Sequence, residues 1–242
     1  MTDLKNQTVI ITGGSKGYGY GMAKVFANKG ANVWITGRNS DTLIKASLEL
    51  SVKFFVGDIS SGKDWDDLFR TVIQDTGKVD VLINNAGAGV RIGELSELMD
   101  SEIEEVISVN LLGTSFGCSR VAKIMKKQKS GTIINISSIC PKQAWPGWSV
   151  YSGAKAGLAQ WSNCLYTEMR PHGVKVTNVI PSWGKTEFNQ SAGFDDFDES
   201  MKSQLTPVDE LGDFIVNICE LPSHLAVQEV TLLPLVQSIE PL

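Results

Sequence analysis

Short runs of apolar residues alternate along this chain with longer segments in which apolar residues recur at helical spacing. The short runs are typical of strands buried on both faces, and they lie at 8–12, 32–36, 52–56, 79–83, 132–136, 174–180 and 228–233. The helical segments lie between them, at 20–27, 43–50, 63–76, 100–128, 150–170 and 208–220. This alternation predicts an α/β fold with a doubly wound parallel sheet, arranged as three α/β/α layers in a single domain over residues 1–242.

Glycines fill the turn between the first predicted strand and the first helix, at Gly13, Gly17 and Gly19. Glycine lets the backbone approach a pyrophosphate closely, and the N-terminus of the following helix offers N–H groups and a positive dipole. A glycine-rich turn is weak evidence by itself, and its spacing here differs from the usual G-x-G-x-x-G. Its placement between a strand and a helix nevertheless favours a dinucleotide phosphate site.

The end of the second predicted strand carries cations and no carboxylate. In such folds an acidic residue at this point binds the ribose 2′-hydroxyl of NAD, whereas an arginine accommodates the 2′-phosphate of NADP. Arg38 follows Gly37 here, and Lys16 lies in the glycine turn. These cations favour NADP; the alternative is a solvated arginine in a turn. At the end of the third strand, Asp58 is expected either to bind the adenine amino group or to belong to the cap of the next helix.

Tyr151 and Lys155 are four residues apart in a predicted helix, so a phenol and an ammonium lie on one face. An ordinary tyrosine titrates near 10. A cation about 4 Å away, at an effective dielectric constant of about 20, would favour the phenolate by up to about 4 kcal/mol. We therefore expect a tyrosine pKa lowered by up to about 3 units, near the pH where acid–base catalysis works best. Taken alone, the pair also fits an ordinary helix that carries Tyr and Lys by chance.

Tryptophans are concentrated in the loops that follow the fifth and sixth predicted strands. Exposed tryptophans in a loop would be costly, so we expect these side chains to line a concavity. The resulting prediction is an aromatic, apolar substrate pocket, whose residues are Cys140, Trp145, Trp148, Trp183 and Phe188. The stretch 187–206 that follows is expected to form a substrate lid.

Composition changes this picture only by excluding partners. The 242 residues are 42% apolar and 20% charged, as in ordinary globular proteins. A net charge of −5 argues against nucleic acid or an anionic membrane surface as a partner, and no apolar run approaches the roughly 18 residues of a membrane helix. Four scattered cysteines and a polar N-terminus without a signal peptide predict reduced thiols and a cytoplasmic location.

Five motifs occur in the order and spacing of one enzyme family. They are Thr12-Gly13-x-x-x-Gly17-x-Gly19, Asn84-Asn85-Ala86-Gly87, Asn110, Ser138 and Tyr151-x-x-x-Lys155. Each motif is weak alone, but the ordered set is specific. Over nearly its whole length the chain resembles the short-chain dehydrogenase/reductase family, in its branch of single domains of about 250 residues. The resemblance implies a Rossmann-type fold and an NADP(H)-dependent oxidoreductase that acts on a carbonyl or secondary alcohol.

The resemblance also implies a role for each motif residue. Tyr151 would be the general acid in reduction and the general base in oxidation, and Ser138 would hydrogen-bond the substrate oxygen. Lys155 would hold the nicotinamide ribose, Asn110 would bind a water that links Lys155 to solvent, and no metal is needed. The residues expected to contact the dinucleotide are Gly13, Ser15, Lys16, Gly17, Tyr18, Gly19, Arg38, Asp58, Ile59, Asn85, Ala86, Gly87, Tyr151, Lys155, Pro181, Trp183 and Thr186.

Three features depart from the family pattern. Tyr18 stands in place of an aliphatic residue beside the pyrophosphate, where we expect it to be tolerated. Ser182 and Trp183 follow Pro181 in place of the usual glycine, in a stretch that normally binds the nicotinamide amide. The C-terminus has a Pro-x-x-Gln tail and lacks the common Asp-Gly-Gly ending.

Two other functions fit parts of the sequence, namely an NAD-linked dehydrogenase of the same fold and a non-catalytic dinucleotide-sensing protein. The absence of a carboxylate at Gly37 argues against the first. The joint presence of Asn110, Ser138, Tyr151 and Lys155 argues against the second. By resemblance we also expect a homodimer or homotetramer, formed through the helices that contain Asn110 and Tyr151.

Overall fold

Seven parallel strands form one sheet in the order β3-β2-β1-β4-β5-β6-β7. The computed structural model of the protein describes residues 2–87, 92–188, 192 and 199–237. All six strand pairings in the sheet are parallel, which confirms the predicted doubly wound fold. The strands are β1 (Thr8–Thr12), β2 (Asn32–Gly37), β3 (Lys53–Val56), β4 (Val81–Asn84), β5 (Gly131–Ile136), β6 (Val174–Pro181) and β7 (Glu229–Leu232).

Helices cover both faces of the sheet and enclose two apolar layers. Because successive strand residues point to opposite faces, Val9 and Ile11 pack in one layer with α1 and α7, whereas Ile10 packs in the other with α3 and α5. Within the described ranges, no helix has the length and apolar character needed to span a membrane. The helices are α1 (Gly17–Asn28), α2 (Ser40–Leu50), α3 (Gly62–Thr76), α4 (Asp100–Ile107), α5 (Thr114–Gln128), α6 (Ser149–Met169) and α7 (Val208–Glu220), with a further turn at Glu199–Lys202.

Helix starts are fixed by capping side chains that the apolar pattern does not include. The side chain of Asn39 accepts a hydrogen bond from the Thr42 N–H, so α2 begins at Ser40, three residues before the predicted start. The Ser61 side chain accepts one from the Asp64 N–H in the same way and starts α3. The sequence left open that Asp58 takes part in this cap, but the capping side chain is that of Ser61.

A π-helical turn at Ser108–Gly113 interrupts the helix that was predicted over 100–128. Such a turn inserts an extra residue and is frequent at functional sites. Asn110 is fully buried within it, and its Nδ2 donates to the Val106 carbonyl at 3.0 Å. At the end of the turn, a Cβ added to Gly113 would lie 2.9 Å from the carbonyl oxygen of Ile59. The π turn thus buries the polar side chain of Asn110 at a point where the helix also passes close to the loop that contains Ile59.

The predicted lid at 187–206 lies partly outside the described residues, which here are 187, 188, 192 and 199–206. The segments that flank it are joined. Thr206 donates its N–H to the Trp183 carbonyl at 3.2 Å, and Lys185 donates to the Thr206 carbonyl at 2.9 Å. The stretch therefore leaves and rejoins the fold at one place. Its function as a lid stays a prediction.

Candidate active site

A cleft of about 770 Å³ opens at the carboxyl ends of the strands. The strand order reverses between β1 and β4, and ligands bind at such points in open parallel sheets. Among the predicted residues, Gly19 and Asn110 lie behind the wall of this cleft. Those that line it are Gly13, Ser15, Lys16, Gly17, Tyr18, Arg38, Asp58, Ile59, Asn85, Ala86, Gly87, Ser138, Cys140, Trp145, Trp148, Tyr151, Lys155, Pro181, Trp183, Thr186 and Phe188.

The glycine turn after β1 forms a cradle at one end of the cleft. Gly13 has a φ of 65° and Gly17 one of 53°, a backbone region that favours glycine. Helix α1 begins at Gly17 with no side-chain cap and no acidic residue in its first turn. Its first N–H groups and positive dipole are therefore suited to an anionic phosphate.

Gly19 is not among the residues that line the cleft, and its contact with the cofactor stays a prediction. A Cβ at this position would overlap the Gly13 carbonyl and lie 2.7 Å from the Asn85 Nδ2. The side chain of Asn85 donates to the Thr12 carbonyl at 2.9 Å, which ties the turn after β4 to the glycine turn. Gly19 thus acts through packing, by letting α1 approach this junction closely.

The predicted cations lie at the dinucleotide end of the cleft, each opposite a carboxylate. Arg38 Nη1 is 3.8 Å from Glu105 Oε1, and Lys16 Nζ is 3.6 Å from Glu187 Oε2. Arg38 and Lys16 are 63% and 61% exposed, so these pairs are weak and can exchange for a phosphate. Asp58 accepts hydrogen bonds from the N–H and hydroxyl of Ser60, at 2.9 and 2.8 Å, while still lining the cleft.

Ser138, Tyr151 and Lys155 meet at the floor of the cleft. Ser138 follows β5 and hydrogen-bonds the hydroxyl of Tyr151, which lies in the first turn of α6. Lys155 is one turn further along α6, with its Nζ 5.8 Å from the Tyr151 ring centroid. The ammonium donates to the Ile136 carbonyl at 2.9 Å, which fixes its position beneath the tyrosine.

The pKa of Tyr151 is shifted upward, opposite to the direction expected from Lys155 alone. Burial raises the pKa of this tyrosine well above its usual 10, and the hydrogen bond from Ser138 opposes the increase. Burial also lowers the pKa of Lys155 from 10.5 to about 8, which weakens its charge as the pH rises. The sequence argument was wrong here because it counted the neighbouring cation and left out the cost of desolvating a phenolate.

Asn110 lies behind the cleft but close to its lysine. A Cβ added to Gly87 would be 3.0 Å from Asn110 Oδ1 and 3.6 Å from Lys155 Nζ. The carboxamide and the ammonium therefore border the same small space beside Gly87. This placement is compatible with the predicted water between them.

Aromatic rings pack against the ring of Tyr151 and against one another. The Trp148 ring meets the Tyr151 ring edge to face, with centroids 5.7 Å apart, and the Phe188 centroid is also 5.7 Å from that of Tyr151. The ring planes of Trp148 and Phe188 make an angle of only 24°, and their centroids are 6.5 Å apart. Trp145 packs edge to face on Trp148 at 5.9 Å. The wall joins the loop before α6 to the segment after β6.

Cys140 places a thiol against the hydroxyl of Ser138. Ser138 Oγ is 3.1 Å from Cys140 Sγ, and the Cys140 N–H donates to the same Oγ at 3.2 Å. Burial raises the pKa of the Cys140 thiol, so it stays protonated at neutral pH. The thiol and its backbone therefore hold the serine hydroxyl in place without adding a charge.

Tyr18 connects the glycine turn to the segment after β6. Its hydroxyl donates to the Ser182 carbonyl at 3.4 Å and hydrogen-bonds the side chain of Thr206. A Cβ at Gly184 would overlap this hydroxyl. Burial raises the pKa of Tyr18 and keeps the phenol neutral. The larger residue is thus accommodated by a glycine that follows Trp183.

The cleft contains several residues that the motifs did not indicate. Thr42 lies one turn into α2 and its hydroxyl is 3.3 Å from Ser15 Oγ, so a polar residue at a helix start was the available signal. Glu187 is adjacent to the predicted Phe188. The others carry no sequence signal of their own, and they are Asn39, Gly57, Val109, Ile136, Ser137, Ile139, Ser182 and Gly184, together with Gly37 at the end of β2.

Known proteins share this sequence pattern and fold. A family model described as short chain dehydrogenase matches residues 7–196. A 3-oxoacyl-(acyl-carrier-protein) reductase of Chlamydia muridarum is 35% identical over 193 residues, or 77% of each chain. A serine dehydrogenase solved with NADP+ has a TM-score of 0.90 at 25% identity, covering 98% of both chains. A metagenomic short-chain oxidoreductase in complex with NADP has a TM-score of 0.84 at 26% identity, covering 98% of this chain and 100% of the other.

Proposed function

Because the chain belongs to the short-chain dehydrogenase family, we propose that it is an NADP(H)-dependent oxidoreductase that interconverts a carbonyl and a secondary alcohol. The observation that carries this proposal is the meeting of Ser138, Tyr151 and Lys155 at the floor of the cleft. A hydroxyl donor, a proton donor and a cation are the groups required to stabilise and protonate a developing alkoxide.

The cleft fits a dinucleotide with a 2′-phosphate. The glycine cradle and the uncapped start of α1 are suited to the pyrophosphate, and Arg38 with Lys16 supplies cations for the 2′-phosphate. NADP in the similar solved structures supports the same choice. When bound, the nicotinamide supplies the hydride in reduction or accepts it in oxidation. An NAD-linked enzyme is disfavoured because Gly37, at the end of β2, offers no carboxylate to the ribose.

In reduction, the carbonyl carbon gains the hydride and its oxygen gains the electron pair of the C=O π bond. Tyr151 then transfers its hydroxyl proton to that oxygen, so that the C=O becomes CH–OH. Ser138 donates a hydrogen bond to the same oxygen, and the Lys155 ammonium stabilises the tyrosinate that remains. Burial keeps the phenol protonated at neutral pH, so the form that can donate a proton is present.

Replacing Tyr151 with phenylalanine tests the proposed mechanism. We expect turnover to fall by about 100- to 10,000-fold, since the acid is lost, while NADPH binding measured by fluorescence stays nearly unchanged. Tyr166→Phe is the matched control, because Tyr166 lies on the same helix in the apolar layer outside the cleft. Retained turnover in the Tyr151 variant would refute the assignment.

A direct measurement distinguishes the proposed enzyme from the non-catalytic alternative. A dinucleotide-sensing protein would bind NADPH but would not oxidise it with any carbonyl. An NADPH-depletion screen over aldehydes, ketones, β-keto esters and quinones distinguishes the two functions. The enzyme is favoured because a sensor has no use for a tyrosine, a serine and a lysine assembled at one point.

We also propose assembly into a homodimer or homotetramer through the helices that contain Asn110 and Tyr151. Leu112, on the same π turn as Asn110, is 44% exposed, as expected for a residue that a second copy would cover. Light scattering combined with size-exclusion chromatography gives the mass. A monomer at micromolar concentration would contradict the proposal.

A further inference from the structure

We infer that the substrate is an uncharged ketone with a flat aromatic group attached to its carbonyl carbon. The inference rests on the proposed function, since it concerns the molecule that Tyr151 would protonate. It comes from the composition and geometry of the wall beside the tyrosine hydroxyl, which the family motifs do not specify.

The wall is made of rings that converge on one point from two parts of the chain. Trp145 and Trp148 belong to the loop before α6, whereas Phe188 follows β6, and all three line the cleft. Their centroid separations, between 5.7 and 6.5 Å including the contact with Tyr151, lie in the range of favourable aromatic pairs. A carbonyl placed at the Tyr151 hydroxyl therefore has its carbon substituent among ring faces and edges.

The charged side chains that line the described part of the cleft either lie at its dinucleotide end or have a partner of their own. Of the charged side chains lining the described part of the cleft, Arg38 and Asp58 follow β2 and β3 at the dinucleotide end. Lys16 and Glu187 are 3.6 Å from each other. Lys155 is buried under the tyrosine and already donates to a backbone carbonyl. The described wall therefore gives no fixed cation to a substrate carboxylate and no fixed anion to a substrate ammonium.

An aromatic substituent gains more from this wall than an aliphatic one of the same size. Both bury similar apolar area, but only the aromatic ring adds edge-to-face pairing, which is worth about twofold to tenfold per pair. Two such pairs predict a preference of about fourfold to a hundredfold. A charged substituent would lose hydration without gaining a partner.

The test compares ketones that differ in one property at a time. Acetophenone and cyclohexyl methyl ketone have the same carbon skeleton size and differ in aromaticity, whereas para-acetylbenzoate and a para-trimethylammonio acetophenone add a charge. We expect kcat/KM for acetophenone to exceed that of each of the others by at least about fourfold. In the presence of NADP+, 1-phenylethanol should also bind about tenfold more tightly than 1-cyclohexylethanol, as measured by tryptophan fluorescence.

Two variants connect the preference to the wall. Trp145→Leu removes a ring that does not belong to the acid–base group, and it should lower the aromatic preference by about twofold to tenfold, the contribution of one ring pair. Trp161→Leu is the control, because it makes the same exchange of a tryptophan on α6 that packs in the apolar layer of α3 and α5, outside the cleft. It should leave the preference as in the unmodified protein.

The outcomes separate this inference from the function on which it rests. Equal or better turnover of the cyclohexyl or of either charged ketone overturns the inference and leaves the oxidoreductase intact. The same holds if Trp145→Leu keeps the full preference. If NADPH binds but no carbonyl compound oxidises it, the proposed function fails and the inference fails with it.

Discussion

Replacing Lys155 with methionine tests how strongly the fold opposes a charge beneath Tyr151. Lys155 is 3% exposed, and burial lowers its pKa from 10.5 to about 8. Below the folded-state pKa, the ammonium is protonated in both states, and the folded protein bears the whole cost of burying it. Between the two pKa values the unfolded chain binds more protons, so the free energy of unfolding rises with pH. Above 10.5 the amine is neutral in both states and the cost is gone.

The size of the effect follows from the two pKa values. At about 1.4 kcal/mol for each pH unit, they correspond to about 3 kcal/mol of stability regained between pH 8 and 10.5. Methionine has no charge to desolvate, so its variant lacks this dependence. The variant also loses the hydrogen bond to the Ile136 carbonyl, but that loss lowers stability by a similar amount at every pH, about 1 to 3 kcal/mol.

Urea unfolding followed by tryptophan fluorescence gives the measurement. Relative to Lys155→Met, the unmodified protein should gain about 3 kcal/mol from pH 8 to 10.5. Burial raises the pKa of the Cys118 and Cys219 thiols to about 12, so alkaline pH destabilises both proteins as the unfolded thiols lose their protons, and this cancels in the comparison. Lys123→Met, on the exposed face of α5, is the control and should show no such change. A difference that stays constant with pH would show that the buried ammonium is not desolvated as its position indicates.

Three further predictions concern the dinucleotide end of the cleft. Arg38→Asp should move the ratio of kcat/KM for NADPH and NADH toward NADH by at least about tenfold, and an unchanged ratio would rule out its role at the 2′-phosphate. Gly184→Ala should lower the free energy of unfolding by about 1 to 3 kcal/mol, because its methyl group overlaps the Tyr18 hydroxyl. In a Tyr18→Leu background this cost should shrink, whereas additive costs in urea unfolding would contradict the contact. Gly19→Ala should weaken NADPH binding in fluorescence titrations by displacing α1 from Gly13, and unchanged affinity would argue against that packing role.

The sequence determined the fold with little ambiguity, because strand and helix order depend on local patterns. All five residues of β1 are buried. Because its side chains pack into the apolar layers on both faces of the sheet, such a strand is recognisable as an unbroken apolar run. The predicted strands and helices are observed, and the family match confirms the resemblance. The observed helix ends differ from the predicted ones where a polar side chain such as Asn39 or Ser61 caps a helix. The lid, the oligomer and the cytoplasmic location stay predictions.

The sequence also supplied most of the candidate site, because parallel strands bring their carboxyl ends to one edge. Residues that follow β1 to β6 therefore had to lie near one another, whatever the details of packing. Motif spacing did not separate side chains that line the cleft from those that support it. Gly19 and Asn110 are of the second kind, and only the close approach of α1 to Gly13 and the π turn around Asn110 distinguish them.

Only the tertiary structure decided the electrostatics of the pair Tyr151 and Lys155. The four-residue spacing of Tyr151 and Lys155 correctly placed them one turn apart on α6. Whether their charged forms are favoured depends on the solvent excluded by side chains far away in the sequence, including Val106 and Phe188. Local spacing fixes how near two groups lie, whereas desolvation is set by everything packed around them. For this reason burial raises the Tyr151 pKa here, although the neighbouring cation by itself would lower it.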